Sequence, residues 1–153
     1  MGFGLVMVTT AALVMAADDP TKQELEKLQG TWVLVGGEEK GRVLTEKEAR
    51  EEMESVVIKG DKMTILRGED KRDCIFRLDP SKKPAWLDLI DPDGKDKVNH
   101  AIYALDGDKL TICVSKKYKP NSPEERPIKL TTNREDNKGL SGLVMGIYQR
   151  QKN

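Results

Sequence analysis

One hairpin is written twice in this chain: Gly60-Asp61-Lys62-Met63-Thr64-Ile65 recurs as Gly107-Asp108-Lys109-Leu110-Thr111-Ile112. Glycine supplies the positive φ of a tight turn, Asp bonds its own backbone there, and the residues that follow alternate as a strand does. Asp61, Asp106 and Asp108 are therefore read as turn formers. The first copy joins Val56-Val57-Ile58 to Met63-Thr64-Ile65-Leu66. Around the two copies, β-branched and aromatic runs separated by Gly, Pro and Asp predict further strands at 30–35, 73–78, 85–90, 98–105, 110–115, 128–132 and 142–150.

Many short strands with no strand–helix–strand rhythm predict an all-β protein built on an antiparallel sheet. A chain of 153 residues has material for one domain. Closure of about eight strands into a barrel leaves no exposed edge, and such a barrel has room for side chains or one small ligand. Two short helices accompany the strands. Asp19-Pro20-Thr21 is an N-cap and first-turn signature ahead of Leu25 and Leu28, and Thr45 with Glu48 forms a capping box that opens a charged helix over 45–53. The second helix is expected to lie across a barrel mouth.

The first residues differ from all that follow. Between Gly2 and Ala17 there is no charge, and the stretch ends Val14-Met15-Ala16-Ala17 before Asp18. An apolar run too short to span a bilayer, with small residues at its end, predicts a signal peptide over 1–16, cleaved after Ala16, and a mature domain over 17–153. Export to the periplasm or beyond follows, with no stable membrane insertion after cleavage. No Lys or Arg precedes the run, which departs from the usual signal pattern. In an oxidising compartment Cys74 and Cys113 could pair. Cys74 alternates with Phe76 and Leu78, whereas Cys113 alternates with Thr111 and Ser115, so the two thiols are expected on opposite faces of the wall.

Several segments together resemble an uncharacterised domain family expanded in planctomycete bacteria. They are Leu28-Gln29-Gly30-Thr31-Trp32, Leu78-Asp79-Pro80-Ser81-Lys82-Lys83-Pro84, Leu87-Asp88-Leu89, Ile102-Tyr103-Ala104-Leu105 running into the second hairpin copy and Cys113, and Glu125-Arg126-Pro127. The resemblance covers roughly 25–150 and implies a small, often exported, lipocalin-like calyx with no assigned activity. Gly30-Thr31-Trp32 is also similar to the lipocalin G-x-W signature, in which the Trp closes one barrel end under an Arg near the last strand. Arg150 stands where that partner would be. The family usually carries an aromatic soon after Arg-Pro, where this chain has Ile128-Lys129-Leu130.

Chemistry is harder to find. His100 is the only histidine, which rules out multi-histidine metal sites and imidazole dyads, and beside Asn99 it is expected at the surface or rim. Asp91-Pro92-Asp93-Gly94-Lys95-Asp96 lacks the glycine and glutamate positions of an EF-hand loop and reads as a turn. Ser141 has no nucleophile elbow around it, and no phosphate loop or dinucleotide fingerprint occurs. With 26 Lys plus Arg against 26 Asp plus Glu, no net field gathers nucleic acid, and the basic Lys116, Lys117 and Lys119 are followed by Glu124 and Glu125.

The expected protein is a non-enzymatic calyx with no cofactor and no metal. It would bind a small apolar or amphipathic molecule on an inward set of Phe76, Leu78, Leu87, Leu89, Tyr103 and Leu110, with Gly30, Trp32 and Arg150 closing the barrel. The same inward residues could instead fill the interior, leaving a structural or protein-interaction module of the cell envelope.

Overall fold

The computed structural model describes residues 19–93, 97–116 and 125–153. The expected signal peptide, part of the 91–96 turn and most of the lysine-rich loop lie outside them. The elements are α1 (Pro20–Leu28), β1 (Gly30–Glu39), β2 (Arg42–Leu44), α2 (Glu46–Glu51), β3 (Glu54–Lys59), β4 (Lys62–Arg67), β5 (Asp70–Asp79), β6 (Ala85–Ile90), β7 (Val98–Asp106), β8 (Lys109–Ser115) and β9 (Leu143–Arg150).

Strands β1 and β3 to β9 pair with their neighbours in that order, all antiparallel, and β9 returns to pair with β1. The result is a closed eight-stranded, lipocalin-like barrel. β1 makes closure work by serving three partners: residues 30–33 meet β3, 37–39 meet the short β2, and its other edge carries β9. The register with β9 slips between Leu34 and Gly36, a bulge of the kind that bends a strand around a barrel corner. Gly37 follows it because a Cβ there would lie 2.4 Å from the Met145 carbonyl oxygen.

One end is plugged. Asp19 caps α1 by accepting the Thr21 N–H at 2.9 Å, and the helix packs Leu25 and Leu28 onto the barrel. Gln29 ties it down, donating to the Leu25 and Gly60 carbonyls and accepting the Gly60 N–H at 2.7 Å. Trp32 is fully buried beneath, its indole N–H donating to the Leu28 carbonyl at 2.9 Å. The Arg150 guanidinium lies 4.2 Å from the Trp32 ring centroid and donates to the Gln29 and Lys27 carbonyls and to Asp108. Those carbonyls belong to the end of α1, where a cation complements the helix dipole. Gly30, at φ 120°, leaves room for this guanidinium, since a Cβ would sit 3.3 Å from Nη1.

The other end is not plugged. α2 stands beside it with the expected capping box formed in both directions: Thr45 Oγ1 accepts the Glu48 N–H, and the Glu48 carboxylate accepts the Thr45 N–H. Those bonds and Arg42 hold the exposed Glu48 carboxyl down at about 2.

The strand expected at 128–132 does not form. Residues 125–142 make an irregular strap over the outer wall, with a 3-10 turn at Glu135–Asn137. Buried Asn137 explains it: its Oδ1 accepts the N–H groups of Ile128 and Lys129, and its Nδ2 donates to the Thr131 carbonyl, bonds a neighbouring strand would otherwise supply. Glu38 fastens the strap, its carboxylate accepting from both hydroxyls of Thr131 and Thr132 and from the Thr132 N–H. Beneath the strap, Ile102 and Cys113 face outward yet are fully buried. Cys113 donates to the Thr131 carbonyl, whereas Cys74 is buried in the barrel core. Both thiols are free, and burial pushes them up, Cys74 to about 11 and Cys113 to about 12.

Candidate functional site

Alternation sends Leu34, Val56, Met63, Ile65, Leu89 and Ile112 inward from five different strands. At the plugged end such residues meet one another. At the open end they wall a cavity of about 580 Å3. Val56 and Met63 are each only 2% exposed while Glu52, Arg67, Arg72 and Lys116 at the rim are exposed, so the space is wide at a charged mouth and narrows to an apolar floor.

Charge enters this space through the last inward positions of β3 and β4. Glu54 and Arg67 are register partners on β3 and β4, one alternation step beyond Val56 and Ile65. Glu54 is 8% exposed, and burying a carboxylate is tolerable only with partners. It has two: the Arg67 guanidinium donates to Oε2, Nε at 3.0 Å, and the Tyr148 hydroxyl donates to Oε1 at 2.5 Å. Tyr148 reaches across β1 because its neighbour is Gly146, where a Cβ would lie 2.6 Å from the Tyr148 ring. Burial, followed by the Glu54 charge, raises the Tyr148 hydroxyl well above its ordinary value, so it stays a hydrogen-bond donor. The bond to Glu54 raises Arg67 further. On the opposite wall Asn99 accepts from Arg72 and donates to the Ser115 carbonyl at 2.8 Å.

The arrangement can hold a molecule with an apolar body and a polar end. It offers no activated nucleophile, and no group of three or more metal-ligating side chains occurs among the described residues. No described helix is long and apolar enough to cross a membrane.

Of the six inward residues named from sequence, only Leu89 lines the cavity. Phe76, Leu87, Tyr103 and Leu110 are 3% exposed or less and pack with Trp32, and Leu78 is half-buried against the same cluster. The Tyr103 hydroxyl faces the plugging helix, 3.4 Å from Glu24. Gly30, Trp32 and Arg150 come together at the plugged end.

Sequence reasoning passed over Glu54, Arg67 and Tyr148, although Glu54 and Arg67 each lie one alternation step beyond an apolar residue, Val56 and Ile65. It also set His100 at the surface or rim, whereas the structure covers it on the outer wall. Asp88 and His100 are register partners on the outside of β6 and β7, and Arg126 of the strap closes over them. His100 Nδ1 is 2.9 Å from Asp88, Arg126 Nη2 donates to Asp88 at 2.6 Å, and the imidazole is 12% exposed. Arg126 also donates to the Ala101 carbonyl at 2.7 Å, which pins the strap to the barrel. Compared with protein-family models, curated proteins and solved structures, the chain matches none.

Proposed function

We propose that this is an exported carrier domain of the lipocalin-like kind its motifs resemble, taking one small amphipathic molecule into the open half of the barrel. One observation carries the reading: an apolar-floored cavity of about 580 Å3 with a charged rim, inside the 300–1,000 Å3 that small-ligand sites occupy. The apolar part of the ligand would lie against Leu34, Val56, Ile65 and Ile112, and its polar end among Arg67, Arg72 and Asn99. Fixed partners for Glu54 favour this orientation, because a carboxylate already satisfied by Tyr148 and Arg67 need not be desolvated anew when a ligand enters.

The test is native mass spectrometry of the protein recovered from its own host, beside an Ile65→Trp variant whose indole would occupy the cavity. A retained small molecule on the wild type, lost from the variant, supports the carrier. A wild type that is always empty and takes up no long-chain carboxylate, amine or alcohol offered to it overturns the carrier in favour of a structural module. The same spectra read the mature mass: a chain beginning at Ala17 supports export through residues 1–16, and an intact N-terminus contradicts it.

A further inference from the structure

A second concavity lies on the outside of the barrel, away from the mouth. It has a volume of about 400 Å3 and is walled by Trp86 and Ile102 of the sheet, by Arg126, Ile128 and Leu140 of the strap, and by Lys83 and Lys138. Trp86 and Ile128 are unusually open for large apolar side chains, 36% and 41% exposed. Every charged side chain in the wall is cationic, in a molecule whose charges otherwise balance. Asp88 already answers the charge of Arg126, and Asp79, whose carboxyl is held down first by Ser81, lies close enough to Lys82 and Arg126 to be lowered by both. The field of the cleft therefore comes from Lys83 and Lys138, which have no ion pair among the described residues; Lys82 stands alongside, its Nζ 4.8 Å from the Trp86 centroid.

Arg126 supplies an independent sign. It is 8% exposed, lies 4.3 Å over the Trp86 ring, and spends both terminal nitrogens on Asp88 and on strand carbonyls. Its Nε–H is buried with no partner among the described residues. A buried donor left unpaired is uncommon and costly, and it sits in the residue that floors the cleft.

We infer that this outer cleft binds a small organic anion: a carboxylate on a flat apolar body, the body stacked on Trp86 and Ile128 and the charge held between Lys83 and Lys138. An exposed indole flanked by cations suits a planar anion, and the volume suits a molecule of one or two rings. The site stands independently of the carrier proposal, since it shares no residue with the cavity.

The experiment is an amide and indole NMR titration of the full domain with 1-naphthoate, and with 1-naphthylmethanol as the uncharged counterpart. The expected result is saturable shifts at the Trp86 indole, Ile102, Ile128 and Leu140, with the alcohol binding at least tenfold more weakly. Lys83→Glu combined with Lys138→Glu should weaken naphthoate binding tenfold or more while leaving Trp32 and the cavity resonances in place. Equal affinity for acid and alcohol overturns the inference on the wild type alone, whatever the variant does. Shifts confined to Met63, Ile65 and Ile112 also overturn it, while leaving the barrel cavity as the binding site.

Discussion

The two ends of this barrel are made from the same eight strands and put to opposite uses. At the plugged end the inward residues are large and apolar, Trp32, Phe76, Tyr103 and Leu110, and a helix seals them from water. At the open end the inward residues shrink to Val56, Ile65 and Val114 and then give way to Glu54, Arg67 and Arg72, so the wall continues while its filling stops. The contrast teaches where each property resides. Burial of apolar area stabilises, and it is concentrated at one end, which leaves the other end room for unfilled space and buried charge.

The sharpest way to break this division is to cut into the plug. Trp32→Ala should cost about 3–5 kcal/mol, the usual range for removing a large aromatic from a packed core, read as a fall in denaturation midpoint. A loss under about 1 kcal/mol would mean the plugged end is not where stability resides.

Next in size is the buried charge at the open end. Tyr148→Phe removes one of two partners of Glu54 and should cost about 2 kcal/mol, as bonds to charged groups do. If it cost nothing, Glu54 would be satisfied by water entering through the mouth rather than by Tyr148.

Arg150→Ala should cost about 1–2 kcal/mol, from a cation stacked on an indole and bonded to the α1 carbonyls. Its effect should stop at the plug: a lowered melting temperature with unchanged ligand uptake. Ile65→Trp is its mirror image, abolishing uptake while moving stability by less than about 1 kcal/mol, because the added ring enters vacant space rather than a filled core.

The smallest effect is acid fraying of α2. Glu48 sits at about 2 in the folded chain against 4.5 when free, so its contribution is present above 4.5 and is lost as pH falls through about 2. Amide exchange in α2 should therefore rise over that interval before exchange in α1 does. Simultaneous loss of both helices would tie α2 to the plug.

Legibility followed the same division. The barrel could be read because period-two alternation and the repeated Gly-Asp-Lys turn are local, and the structure returns both hairpins, at Lys59↔Lys62 and Asp106↔Lys109, together with the Thr45–Glu48 capping box. Closure through the C-terminal half of β1 could not be read, because it depends on a bulge beside Leu34 that looks like loose glycine-rich chain. The open end was illegible for a related reason. An inward Glu54 or Arg67 at a strand terminus is indistinguishable from a solvated end until the partner strand is known, so the apolar set Phe76 to Leu110 stood in for a cavity that lies above it. The strap failed as a strand because Asn137, several residues along, takes over its backbone bonds.

The most direct test of the central division is a methyl NMR titration of the full domain with a single amphiphile such as dodecanoate. Methyl groups of Leu34, Val56, Ile65 and Ile112 should shift in a saturable way while those of Leu28, Leu87 and Leu110 stay still. Shifts shared by both sets, or absent from the first, would contradict a barrel filled at one end and open to a ligand at the other.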